Sequence, residues 1–339
     1  MSKTAIKSRI SVVILLLRLL FPIFASAQSD FDFTQRWFNQ SIYNPAATGN
    51  TFSAGVYMHG RVQWVGLEGA PTTEAVCVDY YNDDLNSGFG ITVTGDQIGF
   101  TQTYAGKISY SYYLPVSRKS YLSIGLAASF VNRTQNAYGA LVDQLDDPDL
   151  YYGTASTNSP SFDFGLEYAG PLKIGVSIRH LGPGSASPYF KTLSNNIWAY
   201  ASAGVNVGNL ISLEPLVSYM YRERFNRIEA GVIVHFSKYS KLHVYNDNFW
   251  LGGIYRFHGQ FGFLAGVNLT KNLRAGYSFD YGLGDLSLIS RFGTHEIFIA
   301  WQLNRIFYRD PECPAFKRGR NDKNKRKFIE KISKRFEVY

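Results

Sequence analysis

The sequence lacks most of the features that mark soluble enzymes and helical membrane proteins. It has two cysteines and three methionines in 339 residues, and charged residues make up 18%, whereas about 25% is typical of soluble domains. After the N-terminal region no run of about 20 apolar residues occurs, which excludes a bundle of transmembrane helices. Paired histidines at metal-ligand spacing, phosphate-binding loops and nucleophile motifs are also missing. We therefore expect no enzyme, and no catalytic, metal or cofactor site.

What the chain has instead is aromatic residues and glycine in an alternating pattern. Tyr, Phe and Trp make up 16% of the residues, and there are 31 glycines. From about residue 51, segments of roughly ten residues alternate apolar side chains with small or charged ones, which is the period of a β-strand. The apolar face continues to the ends of these segments and finishes in aromatic residues. Lipid-facing strands of outer-membrane barrels have this pattern, and a large soluble β-protein is the alternative.

The number and spacing of these segments favour the barrel. Candidate strands lie near residues 51–60, 73–81, 87–94, 102–114, 120–131, 161–170, 173–181, 197–207, 211–221, 227–236, 248–256, 260–269, 272–281 and 293–303. Tight turns at Gly170-Pro171 and Gly208-Asn209 contrast with a long polar loop from Asn132 to Pro160. Short turns on one side and long loops on the other are typical of such barrels. We predict an all-β fold, a transmembrane antiparallel outer-membrane β-barrel of about 14 strands.

The two ends of the chain carry its net charge of +8. Residues 1–27 have a basic start, an apolar run and the small-residue site Ala25-Ser26-Ala27, which predicts a signal peptide cleaved after Ala27; an N-terminal membrane anchor is the alternative. Residues 304–339 form a basic tail, interpreted either as a solvated periplasmic extension or as a docking tail for a partner or acidic lipid. The predicted order is signal peptide 1–27, N-terminal segment 28–50, barrel 51–303 and tail 304–339.

The predicted inner face of the barrel carries charges of both signs. These residues are Lys107, Asp163, Glu167, Lys173, Arg179, Glu214, Glu229, Arg256, Arg274 and Asp280. A mixture of signs favours a filled or plugged lumen over a ring that selects one kind of solute. The two cysteines, Cys77 and Cys313, have no spacing that decides whether they pair.

Two motifs precede and follow the first candidate strand. The first comprises Phe33-Thr34-Gln35, Asn39 and Asn44-Pro45-Ala46-Ala47-Thr48-Gly49, and the second comprises Arg61, Gln63, Trp64, Gly66, Gly69, Ala70, Pro71 and Thr73. In these motifs, and in strand segments such as 273–281, the chain resembles the PorP/SprF family of outer-membrane proteins associated with the type IX secretion system of Bacteroidetes. The resemblance covers about Gln28 to Gln302, and Thr48 stands where the family pattern has alanine.

The resemblance implies a non-enzymatic barrel in the outer membrane of a Gram-negative cell. Its expected role is to bind, anchor or help export a cognate secreted surface protein of the adhesin or gliding type, or to support the secretion machinery. The implied partners are the C-terminal domain of a type IX-secreted protein, periplasmic subunits of the machinery and outer-membrane lipid, with no nucleic acid. A channel for small solutes is the alternative function.

Residues of the two motifs are the candidates for partner binding or barrel closure. They are Phe33, Gln35, Asn44, Pro45, Gly49, Arg61, Gln63, Trp64, Gly69 and Pro71. We expect the first motif to form a short plug-like segment in or against the barrel on the periplasmic side, turning into the first strand at Asn44-Pro45 and Gly49. Residues of the second motif, including Arg61, are expected in the first long loop. For each single residue, closure is favoured over partner contact.

Overall fold

The computed structural model describes most of the chain between residues 31 and 303. The described ranges are 31–50, 53–117, 120–136, 154–182, 195–208, 210–222, 225–237, 239–240, 244–245, 248–257, 259–283 and 292–303. The predicted signal peptide, the basic tail and Cys313 lie outside these ranges. Within them, no helix has the length and apolar character needed to cross a membrane.

The secondary structure consists of three short 3-10 turns followed by strands. The turns are Thr34–Phe38, Gln40–Ile42 and Pro45–Ala47. The strands are β1 Ala54–Val62, β2 Thr72–Asn82, β3 Ser87–Ile98, β4 Thr101–Ser117, β5 Ser120–Asn136, β6 Thr154–Ala169, β7 Leu172–Leu181, β8 Asn196–Ala203, β9 Val205–Val207, β10 Ile211–Arg222, β11 Phe225–His235, β12 Tyr239–Ser240, β13 Val244–Tyr245, β14 Phe249–Arg256, β15 Gln260–Asn268, β16 Leu273–Gly282 and β17 Thr294–Leu303.

The long strands form one closed barrel. Each pairs antiparallel with its neighbours in sequence, and the last strand, β17, pairs with β1 from Ala54↔Leu303 to Val62↔His295. The short β9 continues the β8 edge along β10, while β12 and β13 form a separate two-stranded sheet. The result is a closed antiparallel barrel of 14 strands, which confirms the predicted fold and strand number. Closure leaves no long unpaired edge, as lipid requires.

The strands present opposite faces to the outside and to the lumen. On β7, Ile174 and Val176 are exposed outward, whereas Arg179 is 2% exposed and points inward. On β5, Leu126 is exposed while Ser123 is fully buried. Successive side chains of a strand point to opposite faces, and the observed burial follows this alternation. The predicted pattern is therefore confirmed. The outer face is apolar, and the buried core of the molecule is its lumen.

One predicted loop is partly strand. The segment from Asn132 to Pro160 was expected to be a long polar loop, but β5 and β6 continue into it from both sides with pairs such as Asn132↔Asn158. Asn132 Nδ2 donates to Asn158 Oδ1 at 2.8 Å, and the hydroxyls of Thr134 and Ser156 are 3.1 Å apart. The prediction was wrong at both edges because these polar strands pair through their backbones without an apolar face.

The barrel has two unlike ends, which are named here by their connections. At the terminus end, where β1 begins and β17 ends, most connections are short, namely 83–86, 118–119, 170–171, 208–210 and 269–272, and one is longer, 236–248. At the opposite end, called the loop end, the longer connections 63–71, 137–153, 182–195 and 283–293 occur beside the short ones 99–100, 223–224 and 257–259. Positions inside the lumen are described below relative to these two ends.

Candidate functional site

Residues 31–50, called the lumen segment, lie inside the barrel. Most of them are buried, and Phe33, Gln35, Arg36, Tyr43 and Asn44 are fully so. Phe33 lies beside His59, with their ring centroids 4.7 Å apart, and Thr48 lies against Gly88 of β3 and against Ser111 and Tyr113 of β4. The segment therefore passes through the lumen, and its chain direction runs from the loop end to the terminus end.

The local fold of the lumen segment follows from its turn residues. The Asn44 side chain accepts a hydrogen bond from Ala46 N at 3.0 Å and caps the last 3-10 turn, which starts at Pro45. Proline is favoured at this first position because it has no backbone N–H, and an N–H at that position would have no partner within the turn. Gly49 then takes a left-handed conformation with φ of 70°, which glycine adopts without steric cost. These residues turn the chain out of the lumen and into β1.

Glycines in the barrel wall make room for the middle of the lumen segment. A Cβ built on Gly125 of β5 would overlap the backbone of Pro45 and Ala46, and one on Gly165 of β6 would overlap the Asn44 side chain. Glycine permits this close backbone approach because it has no side chain. The wall and the segment are therefore complementary in shape at these two glycines.

Side-chain hydrogen bonds attach the same region to the wall. Asn44 Nδ2 donates to Tyr200 OH at 3.1 Å and to the Leu166 carbonyl at 3.2 Å. Tyr200 OH in turn donates to Glu167 at 2.5 Å. Nearer the terminus end, the Thr48 carbonyl accepts from Tyr113 OH at 2.6 Å and from Ser111 Oγ at 2.7 Å. Asn44 and Thr48 of the segment are thus hydrogen-bonded to the wall of the barrel at strands β4, β6 and β8.

An ionic cluster holds the first residues of the lumen segment near the loop end. Its members are Asp32, Arg36, Arg61, Arg227, Glu229, Arg256, Asp280 and Glu296. Arg36 contacts Asp32 at 2.6 Å and also pairs with Glu229. Asp32 also pairs with Arg227. Equal numbers of acidic and basic groups meet, so the buried charges compensate one another.

Thr34 lies at the centre of this ionic cluster. Its hydroxyl donates to Asp280 Oδ2 at 2.7 Å and accepts from Arg256 Nη2 at 2.7 Å and Arg61 Nη1 at 2.9 Å. Its backbone N–H donates to Glu296 at 2.7 Å. A hydroxyl has one donor and two acceptor positions, and all three are used. These hydrogen bonds connect β1, β14, β16 and β17 to one residue of the segment.

Asp32 and Arg36 of the lumen segment meet groups of opposite charge. Asp32 pairs with Arg36 and Arg227, and Arg36 also pairs with Glu229. The attachment is therefore a set of charged hydrogen bonds, which are stronger than neutral ones.

The second motif forms a tightly hydrogen-bonded loop at the loop end. Gln63 N donates to the Pro71 carbonyl at 2.8 Å, and Val65 N donates to the Gly293 carbonyl at 3.0 Å. Trp64 has a φ of 47°, a conformation that is uncommon for a bulky residue and requires such support. Gly99 N donates to the Gly69 carbonyl at 3.1 Å. The loop is thus joined to the connections on both of its sides.

The structure separates the candidate residues into two places. Phe33, Gln35, Asn44, Pro45 and Gly49 lie in the lumen, whereas Gln63, Trp64, Gly69 and Pro71 lie in the first loop. Arg61 was expected in that loop, but it is an inward-facing residue of β1, 5% exposed. The first motif was expected in or against the barrel on the periplasmic side; it lies inside the barrel between the ionic cluster near the loop end and Thr48 near the terminus end, and the periplasmic side stays a prediction.

Several contact residues were not among the candidates. Asp32, Arg36 and Thr48 belong to or border the first motif, and Arg227 and Glu296 lie on the barrel wall. Glu229, Arg256 and Asp280 were predicted to face the lumen, and they do. The period-two pattern could have added Glu296 in the same way, but no local signal pairs Arg36 with Glu229 across 193 positions.

Among the described residues, no group of three or more histidine, cysteine, aspartate or glutamate side chains could hold a metal ion. Cys77 is buried and faces the lumen, where its sulfur lies 3.3 Å from Ser41 Oγ. The arrangement is one of packing, hydrogen bonds and ion pairs, and these hold a segment in place.

Comparisons with known proteins find one protein family and several solved structures. A family model described as type IX secretion system membrane protein PorP/SprF matches residues 25–301. Omp33 of Acinetobacter baumannii is 13% identical, with 76% of this chain and 100% of that chain covered and a TM-score of 0.40. The P. putida toluene transporter TodX is 9% identical, with 79% and 94% covered and a TM-score of 0.47. The Ralstonia pickettii toluene transporter TbuX is 12% identical, with 78% and 92% covered and a TM-score of 0.45.

A search of curated proteins finds no match. The family model spans the lumen segment and nearly all of the barrel, so it confirms the resemblance seen in the two motifs. The chain belongs to the PorP/SprF family of type IX secretion system membrane proteins, and it is an outer-membrane β-barrel.

Proposed function

We propose that this outer-membrane barrel binds and anchors, or helps to export, a type IX-secreted surface protein through its loop end. The observation that carries the proposal is that the lumen segment is buried inside the barrel from the ionic cluster to Thr48. A partner then has to meet the barrel at its ends. The alternative role, support of the secretion machinery, would use the terminus end and the basic tail.

The loop end offers an apolar surface on a rigid base. Leu67, Phe100 and Phe292, called the loop-end patch, are 45%, 55% and 61% exposed. The connections that carry them are joined by the hydrogen bonds of Val65 to Gly293 and of Gly99 to Gly69. Exposed apolar residues on a preorganised surface favour protein binding, since little ordering entropy is lost. The C-terminal domain of a secreted surface protein is the partner that family membership supports.

Surface display of the secreted partner tests this proposal. In cells lacking the gene, we expect the cognate secreted protein to disappear from the surface, and wild-type barrel to restore it. The double variant Leu67→Asn/Phe292→Asn should restore surface display poorly, because it removes two of the three apolar side chains of the loop-end patch. The measurement is antibody labelling of the secreted protein on intact cells.

A matched control is Leu85→Asn, since Leu85 is 57% exposed but lies in the turn 83–86 at the terminus end. This variant should restore display fully if the loop end is the docking face. Normal display without the gene would contradict the proposal, and failure of Leu85→Asn alone would favour the machinery-supporting role.

The second candidate function, a channel for small solutes, makes a different prediction. A barrel filled by its own lumen segment should conduct few ions in a planar lipid bilayer. A variant lacking residues 32–47 should conduct at least several-fold more, provided that its heat-modifiable gel band confirms folding. Large conductance of the wild-type protein would favour the channel, because an open path would then exist beside the segment.

A further inference from the structure

We propose that the lumen segment passes through its own barrel with its first residues at the cell surface and its last residues at the periplasmic mouth. Most membrane barrels of this type keep short turns in the periplasm and long loops outside. The loop end is therefore the extracellular end, and the terminus end, with β1 and β17, is periplasmic. This assignment rests on connection lengths and not on the docking of a secreted protein.

The direction of the lumen segment follows from contacts at its two ends. Thr34 and Gln35 donate through their backbones to Glu296, close to the loop-end start of β17. Gly49 N donates to Asp79 Oδ2 at 3.1 Å, and Asp79 lies close to the terminus end of β2. Since each contact is made with the wall at a known strand position, the segment starts near the extracellular mouth and ends near the periplasmic mouth.

The first described residues lie at the extracellular mouth. Phe31 is only partly buried, and its ring packs 5.8 Å from the Phe33 ring and 5.9 Å from the Arg179 guanidinium. Arg179 lies in the last residues of β7, at the loop end of the barrel and shortly before the connection 182–195. Phe31 thus adds an aromatic side chain to the mouth at the loop end, so a surface partner at this end can contact the first residues of the lumen segment.

The ionic cluster favours this orientation of the lumen segment over the reversed one. Arg36 and Asp32 pair with Glu229 and Arg227 of β11, which begins at the loop end. Reversing the segment would take Asp32 away from Arg227 and place it beside Ser109, Ser111, Tyr113 and the carboxylate of Asp79, the wall residues that Thr48 and Gly49 contact. Ionised groups without counter-charges are costly to bury. The charges of the barrel wall therefore favour the orientation in which the first residues of the segment lie at the loop end.

Cysteine labelling of intact cells tests the inference. Phe31→Cys and Asn50→Cys mark the two ends of the lumen segment in a Cys313→Ser background, and Cys77 stays in place as a buried internal check. The probe is a bulky maleimide that does not cross the outer membrane. We expect labelling of Phe31→Cys in intact cells, and labelling of Asn50→Cys only after permeabilisation.

Two exposed positions calibrate the labelling. Glu68→Cys lies in the first loop at the loop end, and Asp84→Cys lies in the turn 83–86 at the terminus end. Phe31→Cys should follow the first and Asn50→Cys the second. Because Phe31 is partly packed, an epitope inserted directly before it gives a second measurement with antibody on intact cells. Detection of this epitope only after permeabilisation, with Glu68→Cys labelled normally, would overturn the inference.

Discussion

Glu229→Ala is expected to lower the free energy of unfolding by about 3–5 kcal/mol, the range found when one partner of a buried ion pair is removed. Glu229 is 1% exposed and contacts Arg36 of the lumen segment and Arg256 of β14. Ser218 Oγ also donates to it at 3.0 Å. Without this carboxylate, buried guanidinium groups would face one another with less compensation. The measurement is urea unfolding of the barrel in lipid.

The control for this prediction is Glu68→Ala, because Glu68 is an exposed residue of the first loop. Exposed substitutions of this kind usually change stability by less than about 0.5 kcal/mol. The double variant Arg36→Met/Glu229→Met should cost clearly less than the sum of the single variants, since the two residues are coupled. Equal effects of Glu229→Ala and Glu68→Ala would show that the cluster does not hold the segment.

Gly125→Leu is expected to displace the lumen segment from the wall. A side chain at this position would overlap the backbone of Pro45 and Ala46, which cannot move as a flexible side chain can. Overpacking of a buried site costs about 1–3 kcal/mol, and sometimes more. We expect the folded barrel to convert to the unfolded gel band at a lower temperature, and its conductance in a planar bilayer to rise.

The matched control is Gly106→Leu on the neighbouring strand β4. Gly106 faces outward, and a Cβ built there meets no atom within 4 Å. The two substitutions add the same side chain to a strand glycine, so any difference reports the lumen contact and not the loss of glycine from a strand. A conversion temperature of Gly125→Leu that matches Gly106→Leu would mean that the segment is not seated against β5.

The strand pattern was readable from the sequence because it depends on local periodicity. Alternation places Lys107, Asp163 and Glu167 on the same side of their strands as the small residues, and closure turns that side inward. Charges of both signs pointed to a filled lumen. The same reasoning could not predict which group pairs with which, because register and barrel closure determine those distances.

Arg61 illustrates this limit. The residue belongs to a motif that continues into the first loop, so it was placed there together with Gln63 and Trp64. In the structure it remains in β1 and pairs with Asp280 at 2.9 Å and Glu296 at 3.0 Å. Asp280 and Glu296 are both more than 200 positions from Arg61 in the sequence, and Glu296 is 235 positions away. Only a closed sheet brings them together.

The sequence by itself determined the class of the protein, its strands, the two faces of the barrel and its family. Local periodicity, turn residues and motifs carry that information, because each depends on neighbours in the chain. The tertiary structure decided that residues 31–50 lie inside the lumen, that they run from the loop end to the terminus end, and that an ionic cluster holds their first residues. These features arise from contacts between distant strands, and such contacts exist only after β17 has paired with β1.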